Sequence, residues 1–399
     1  MSVGIVLAEW NWHGHHPTYF RHYLHSLLRA SCHVLALCPA PGSLASEPAF
    51  AKAVRQGQLQ FGKLQACRRK LRPARLRETV RAFELMRSLK ALISNFEKST
   101  GHKTSLVFFA CIYENEFKAF PFFSWMLRRP LSGLLLHSNI FRNPSTNDGA
   151  KLLKILRNDS FIALAVLDEG TSEDYARAIR KKVVVFPEIS DLTPPSNQTA
   201  LARRMLHMAV GRPIVGVLGY LHPYKGAFTL ARVALNSHPD VLFAFVGEIP
   251  WSAYSLEERQ ALENAVNRCE NVFFHSIRVE DGIEFNSAVA ACDVIFASYH
   301  NFPNSSNILT KAALARKQVI VSAGYLMAER VRQYHLGAVV PQKDPEAVVK
   351  AISLLLHTPA EKSPLWDEYL AANSTTALDA AFAQILQAAG IKSQRFSNV

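Results

Sequence analysis

The run Gly219-Tyr220-Leu221-His222-Pro223-Tyr224-Lys225-Gly226 places two glycines and a lysine directly behind a β-branched stretch, PIVGVLG at 213–219. A glycine-bearing turn from a buried strand into a helix offers backbone N–H groups to an anion, and a lysine adds a full positive charge. The chemistry on offer is phosphate binding, although a Lys-Gly turn also opens many helices that bind nothing. Further on, Ser305-Ser306-Asn307 precedes another helix-like run. These are N-cap residue types, which suit a diphosphate or simply cap the helix. Lys311 lies within that helix, and its charge can meet either a ligand or a neighbouring acid.

The first half carries further residues that could meet a ligand. His13, Gly14, His15 and His16 crowd into the loop behind the first apolar run, VGIVLA at 3–8. Glycine lets backbone approach a ligand, and packing alone does not explain three histidines in four positions, so at least one is expected to meet a ligand. His137 ends the run GLLLH, where a satisfied strand-end histidine is the ordinary reading. Asp168 and Glu169 end another apolar run. They belong either to a ligand edge or to the first turn of the helix that follows. Glu114 and Glu116 have the same double reading.

Positioning such groups requires strands that end together. Continuous apolar runs at 3–8, 33–38, 106–112, 133–137, 161–167 and 183–186 read as strands buried on both faces, with helical patterns between them. The polar segment SDLTPPSNQTALARR at 190–204 contains Pro-Pro and reads as a linker. A second series follows at 213–219, 241–247, 271–276, 292–298 and 318–322. The expectation is an α/β protein of two Rossmann-like, doubly wound domains, at 1–190 and 211–363, joined by a linker over 191–210. Residues 364–399 are expected to form helices that cross back to the first domain.

The 399 residues hold 45 Lys plus Arg against 32 Asp plus Glu, a formal charge of +13 that calls for an anionic partner. Residues 51–103 alone carry fourteen Lys or Arg and three Glu. Within them Leu76, Val80, Phe83, Met86, Leu89 and Ile93 follow a helical period, and the aromatic run AFPFFSWMLRRP follows at 119–130. This stretch reads as a packed helix with a solvated basic back, or as a surface over 51–130 that meets anionic headgroups. Nucleic acid is the weakest reading, because no nucleic-acid-binding motif accompanies the charge. The six scattered cysteines form no CxxC, which argues against a disulfide scaffold or zinc site and for a reduced compartment. The first sixteen residues lack the pattern of a secretory signal. A cytoplasmic protein, peripheral on the inner membrane face if the basic surface meets lipid, is the expectation. No G-x-S-x-G elbow, P-loop or Asp-x-Asp is present.

The order Gly219…Lys225-Gly226, Phe245-Val246-Gly247-Glu248, Val272-Phe273-Phe274-His275-Ser276-Ile277, Ala291-Cys292-Asp293-Val294 through Ser298-Tyr299, and Gln318-Val319-Ile320-Val321-Ser322 resembles the donor half of GT-B-fold glycosyltransferases. The class is the retaining one related to glycogen and sucrose synthases. The resemblance covers about 213–350 well and the first 190 residues mainly by layout. It implies two domains facing a cleft and a nucleoside diphosphate sugar as donor, with no metal or other cofactor. The acceptor would be a glycan or lipid-linked molecule, as in polysaccharide biosynthesis. Gly14, His15, Gly219, His222, Lys225, Gly247, Glu248, Ile277, Ser305, Ser306, Asn307 and Lys311 would then lie on the donor side. Catalysis would fall to His16, His137 and Lys225, with Glu114, Asp168 and Glu169 on the acceptor side. One element departs: the Glu-x7-Glu pair of this class aligns on Pro303 and Lys311, so neither carboxylate is present. That loss motivates a second expectation, a catalytically silent relative that binds nucleotide sugar or glycan. A non-hydrolysing epimerase on the same plan is a third.

Overall fold

The structure, a computed structural model, describes residues 3–65, 74–119, 121–136, 140–142, 148–236, 240–357 and 363–391. It divides into two compact units, residues 1–189 with 373–399, and residues 190–372.

The first unit is built on seven strands: β1 (Gly4–Ala8), β2 (His33–Cys38), β3 (Leu59–Lys63), β4 (Thr104–Phe109), β5 (Leu131–Leu135), β6 (Ala163–Val166) and β7 (Lys182–Val185). They lie in the order β3-β2-β1-β4-β5-β6-β7, all parallel. Every residue of β1 is buried, as a strand covered on both faces requires. The strand order reverses between β1 and β4, so the loops that leave their carboxyl ends open a crevice there.

The second unit holds β8 (Ile214–Leu218), β9 (Leu242–Val246), β10 (Val272–His275), β11 (Val294–Ala297), β12 (Gln318–Ser322) and β13 (Gly337–Val340). Their order is β10-β9-β8-β11-β12-β13, again all parallel, with the switch between β8 and β11. The short strands β3 and β13 are the two that the apolar runs do not announce. Only half or less of each is buried, and edge strands need less hydrophobic sequence.

Two segments differ from their expected roles. Ala200–Ala209, expected within a linker, is a helix that buries Leu201, Ala202 and Met205 in the second unit. The tail divides: the helix Trp366–Ala372 stays with the second unit, while Thr375–Ala388 belongs to the first. The basic helix Ala74–Thr100 buries Ala82, Leu85, Met86, Leu89 and Ile93 but leaves Leu76 and Phe83 exposed. Its apolar period therefore describes a packed face only from about its third turn onward.

Phe382 on the tail helix is fully buried, with its ring 5.4 Å from Tyr23 and 5.0 Å from both Phe108 and Phe186. Arg29 adds a two-pronged contact to Asp379, at 2.7 and 2.6 Å. The tail is thus core of the first unit. F382A is expected to cost about 3–5 kcal/mol in urea unfolding, and a loss below about 1 kcal/mol would contradict this placement.

Candidate functional site

At the switch point of the second sheet, loops from four strands are held together by backbone. The Gly219 N–H donates to the Val246 carbonyl at 2.9 Å, and that of Gly247 donates to the His275 carbonyl at 2.8 Å. Leu221 N–H reaches the Glu248 carbonyl at 2.9 Å, and His300 N–H reaches the Tyr224 carbonyl at 2.6 Å. Two of these approaches admit only glycine. A Cβ on Gly247 would lie 1.8 Å from the Gly219 carbonyl oxygen, and one on Gly226 would lie 2.4 Å from that of Ser298. Both residues also have positive φ, 133° and 77°.

Lys225 rises into this frame. Its Nζ sits 5.3 Å from the centre of the Tyr299 ring, and 3.0 Å from where a Cβ on Gly219 would stand. Within the described residues of its unit no carboxylate pairs with it. Desolvation by burial lowers the Lys225 pKa below that of a free lysine, and Tyr224 opposes the shift. An anion brought to the ammonium would be attracted without first displacing an acid.

Hydroxyls cluster at the ends of β11 and β12. Ser298 and Ser322 share a buried hydrogen bond of 2.8 Å. Tyr299 bonds to Ser306, and burial raises its phenol to about 12. Arg330, buried on the helix Leu326–Gln333, donates to Ser305 Oγ at 2.6 Å. Asn307 is buried at the head of the helix Ile308–Leu314 and makes no side-chain cap bond to it. The simple capping reading of Asn307 therefore does not hold.

Other donor-side candidates stand at the rim or away from it. Glu248 and Ile277 are exposed. Ile277 follows β10 beside a cavity of about 430 Å³ lined in part by Arg204, His275, Arg278 and Asp281. His222 faces Tyr224 at 4.7 Å between ring centres, its Nδ1 buried without a partner. Lys311 lies with its Nζ 5.1 Å from the centre of the Phe285 ring. It is buried, donates to Asn286 at 2.7 Å and lies 3.4 Å from Asp281, so it answers acids inside its own unit.

The first unit assembles a second constellation where β1 and β4 end. Glu9 is 1% exposed, and its Oε1 accepts from the N–H groups of Trp10 and Asn11, both at 2.7 Å, and from the Tyr113 hydroxyl at 2.6 Å. Its Oε2 lies 3.1 Å from His16 Nδ1. Desolvation first, and then the Glu9 charge, push the Tyr113 phenol far up, so it keeps its proton. Gly14 (φ 59°) and His15 are exposed in the loop ahead, His15 at the helix N-cap without a side-chain cap bond. The acceptor-side acids are engaged elsewhere. Asp168 holds Arg142 through both oxygens at 2.6 and 2.9 Å and accepts from Gly170 N–H. Glu114 pairs with Lys118 one helical turn on, and Glu169 is exposed. His137 lies outside the described residues.

Glu9, Tyr113, Tyr299, Ser298, Ser322 and Arg330 escaped the sequence reading as site residues. Glu9 had a usable signal, an acid closing the first buried strand seven residues before His16. The serines had none, because nothing in their neighbourhood marks them as partners across two strands.

Residues 212–358 match the family model of group 1 glycosyl transferases. The fold matches are broader. The chain resembles HepE of Anabaena, solved with UDP and glucose, at 15% identity and a TM-score of 0.66, over 96% of this chain and 99% of that one. Sucrose-phosphate synthase of Thermosynechococcus elongatus aligns at 18% identity and a TM-score of 0.66, over 96% and 98%. The UDP-forming trehalose-phosphate synthase of Burkholderia xenovorans aligns at 12% identity and 0.69, over 98% and 100%. No curated protein matches the chain.

The chain has the GT-B fold. The residues that match the family model lie within the unit that carries Lys225, Gly219, Gly226 and Gly247.

His300 gives this loop frame a pH signature. It is buried, its Nε2 is 3.3 Å from Thr229 Oγ1, and desolvation holds the ring down at about 4, with Lys343 adding to the shift and Glu258 opposing it. The fold prefers the neutral ring, whereas the unfolded chain protonates near the ordinary value. The contribution is therefore full above about 6.5 and is lost as pH falls toward 4. Relative to H300Q, the protein is expected to lose up to roughly 3 kcal/mol between pH 7 and 4. An NMR titration of His300 near 6.5 would contradict this.

Proposed function

We propose that this chain is a glycosyltransferase that takes its sugar from a UDP-sugar held by the second unit and passes it to a glycan or lipid-linked acceptor held by the first. The carrying observation is Lys225, a half-buried ammonium with no carboxylate partner among the described residues of its unit, set against the Gly219 turn and the Tyr299 ring. Charge develops on the diphosphate as its bond to the sugar breaks, and a fixed cation in a partly dry site lowers that barrier. UDP and UDP-glucose appear with the structurally similar HepE, which supports the choice of donor. Charge neutralisation by Lys225 and the absence of an Asp-x-Asp in the sequence support a reaction that needs no metal or cofactor. Retention at the anomeric carbon is carried by the resemblance to the group 1 class.

UDP-glucose is the probe. The full chain is expected to release UDP from it, with activity indifferent to EDTA, and the anomer of the product reads the stereochemistry. K225A should weaken UDP binding about 10- to 100-fold by calorimetry, the size of a lost charge-assisted contact. Wild-type affinity should fall at alkaline pH, with its break below the ordinary lysine range, as Lys225 loses its proton. Unchanged UDP affinity in K225A would reject the donor site. UDP binding without turnover would favour the silent relative that Pro303 and Lys311 suggest, and a changed nucleotide sugar would favour the epimerase.

Part of this reading is that the acceptor is reached at an anionic membrane surface. Phe122 and Trp125 are 60% and 66% exposed, and Arg128 and the basic helix Ala74–Thr100 belong to the same stretch. Aromatic rings and cations together suit a headgroup region. Among the described residues no helix is long and apolar enough to cross a membrane, so contact would be superficial. Flotation with phosphatidylglycerol vesicles should recover the protein and lose it in the F122A/W125A double variant. Equal recovery with phosphatidylcholine vesicles would reject the surface.

A further inference from the structure

The second sheet ends at β10, which pairs with β9 on one side and with no strand on the other among the described residues. The Gly247 and Phe243 N–H groups take the His275 and Asn271 carbonyls, both at 2.8 Å. Main-chain groups along a strand of a parallel ladder alternate between its two sides, so those of Val272 and Phe274 face away from β9. Sheet edges are commonly blunted by a proline, a bulge or a lysine on the strand. Val272-Phe273-Phe274-His275 carries none of these, and its register with β9 is unbroken.

Beside this edge stands a set of unanswered cations. An open groove of about 710 Å³ is lined by Arg203, Arg204, His207 and Met208 from the helix Ala200–Ala209, and by Phe273 and Phe274 from β10. Arg203, Arg204 and His207 are exposed, and none forms an ion pair or a side-chain hydrogen bond among the described residues. The Arg204 guanidinium lies 5.4 Å from the centre of the buried Phe273 ring. Burial lowers the His275 pKa, Arg204 adds to that shift and Glu284 opposes it. Nearby arginines are engaged instead. Arg212 donates to the Met208 and Ala209 carbonyls, and Arg278 pairs with Glu280 at 2.8 Å.

We propose that this groove binds an acidic peptide segment of a partner protein, which adds to the sheet as a strand beside β10 and sets its carboxylates against Arg203, Arg204 and His207. The edge offers both N–H and C=O groups, and another peptide backbone answers both. A phosphate backbone accepts hydrogen bonds but donates none, so it would leave the outward carbonyls bare. A second copy of this chain, at a formal +13, would bring like charge to the same cations. Arg203 and His207 stand about one helical turn apart, ~6 Å along the axis. Same-side residues of an extended chain are ~6.6 Å apart, so alternating acids can meet both. The groove is distinct from the Lys225 turn, because β9 lies between β10 and the strand β8 from which that turn leaves.

The test uses the full chain and a fluorescein-labelled peptide of alternating glutamate and valine, followed by fluorescence anisotropy. The peptide is expected to bind, and R203E/R204E should weaken it about 10-fold or more, because attraction becomes repulsion. The same peptide N-methylated at every peptide bond keeps its charge but cannot donate to the edge, and should bind about 10-fold more weakly or worse. F274P removes an outward N–H at a place where edge strands tolerate proline, and should also weaken binding. The arginine pair is exposed and the methylated peptide leaves the protein untouched, so both comparisons stand even where F274P does not fold. No binding of the parent peptide, undiminished binding in R203E/R204E, or equal binding of the methylated peptide overturns the proposal. So does tighter binding of an oligouridylate of equal charge, which would answer the cations and not the edge. Displacement of the peptide by UDP would place it in the donor pocket and overturns the proposal as well.

Discussion

Backbone on backbone is the contact that makes the second unit a site. Gly247 lies against the Gly219 carbonyl and Gly226 against that of Ser298, each so close that a methyl group would overlap main chain. Backbone cannot shrink or swing aside as a side chain can, so these approaches exist only where no Cβ does. They fix where the loops after β8, β9 and β11 can lie, and so where Lys225 points. The lysine pays part of its solvation to stand there, which burial registers as a lowered pKa. A partly desolvated cation with no acid paired to it among the described residues is poised for a polyanion.

The first unit reaches its order differently. There a buried carboxylate collects donors until its oxygens are used: two backbone N–H groups, a phenol and an imidazole. Burying such a charge is costly unless hydrogen bonds replace its water, and the replacement fixes the groups that supply it. Both units thus place their polar chemistry where the strand order reverses, β1 beside β4 and β8 beside β11. In a parallel sheet only those points leave a crevice not covered by a crossover.

Much of this was legible in one dimension. Runs buried on both faces announced eleven of the thirteen strands, and the glycine-lysine turn announced where an anion would go. The edge strands β3 and β13 were missed because an edge needs few apolar residues. Lys311 had two open readings, a ligand or a neighbouring acid, and the fold supplies the acid. Its sequence position suits a ligand, but its charge is met by Asn286 and Asp281, which come from a different part of the chain. Asp168 likewise looked free until Arg142 took both its oxygens.

By itself, then, the sequence determined the layered α/β architecture, the positions of the phosphate-type turns and the cationic balance of the chain. These follow from periodicity and residue type, which act over a few neighbours. Only tertiary structure decided which acids and cations remain available. Glu9, His16 and Tyr113 span more than a hundred residues and meet because β1 and β4 are adjacent, while Ser298 and Ser322 meet because β11 and β12 are. Whether a charge is satisfied depends on what the fold brings within about 3 Å of it, and adjacency in the sheet, not proximity in the chain, sets that distance.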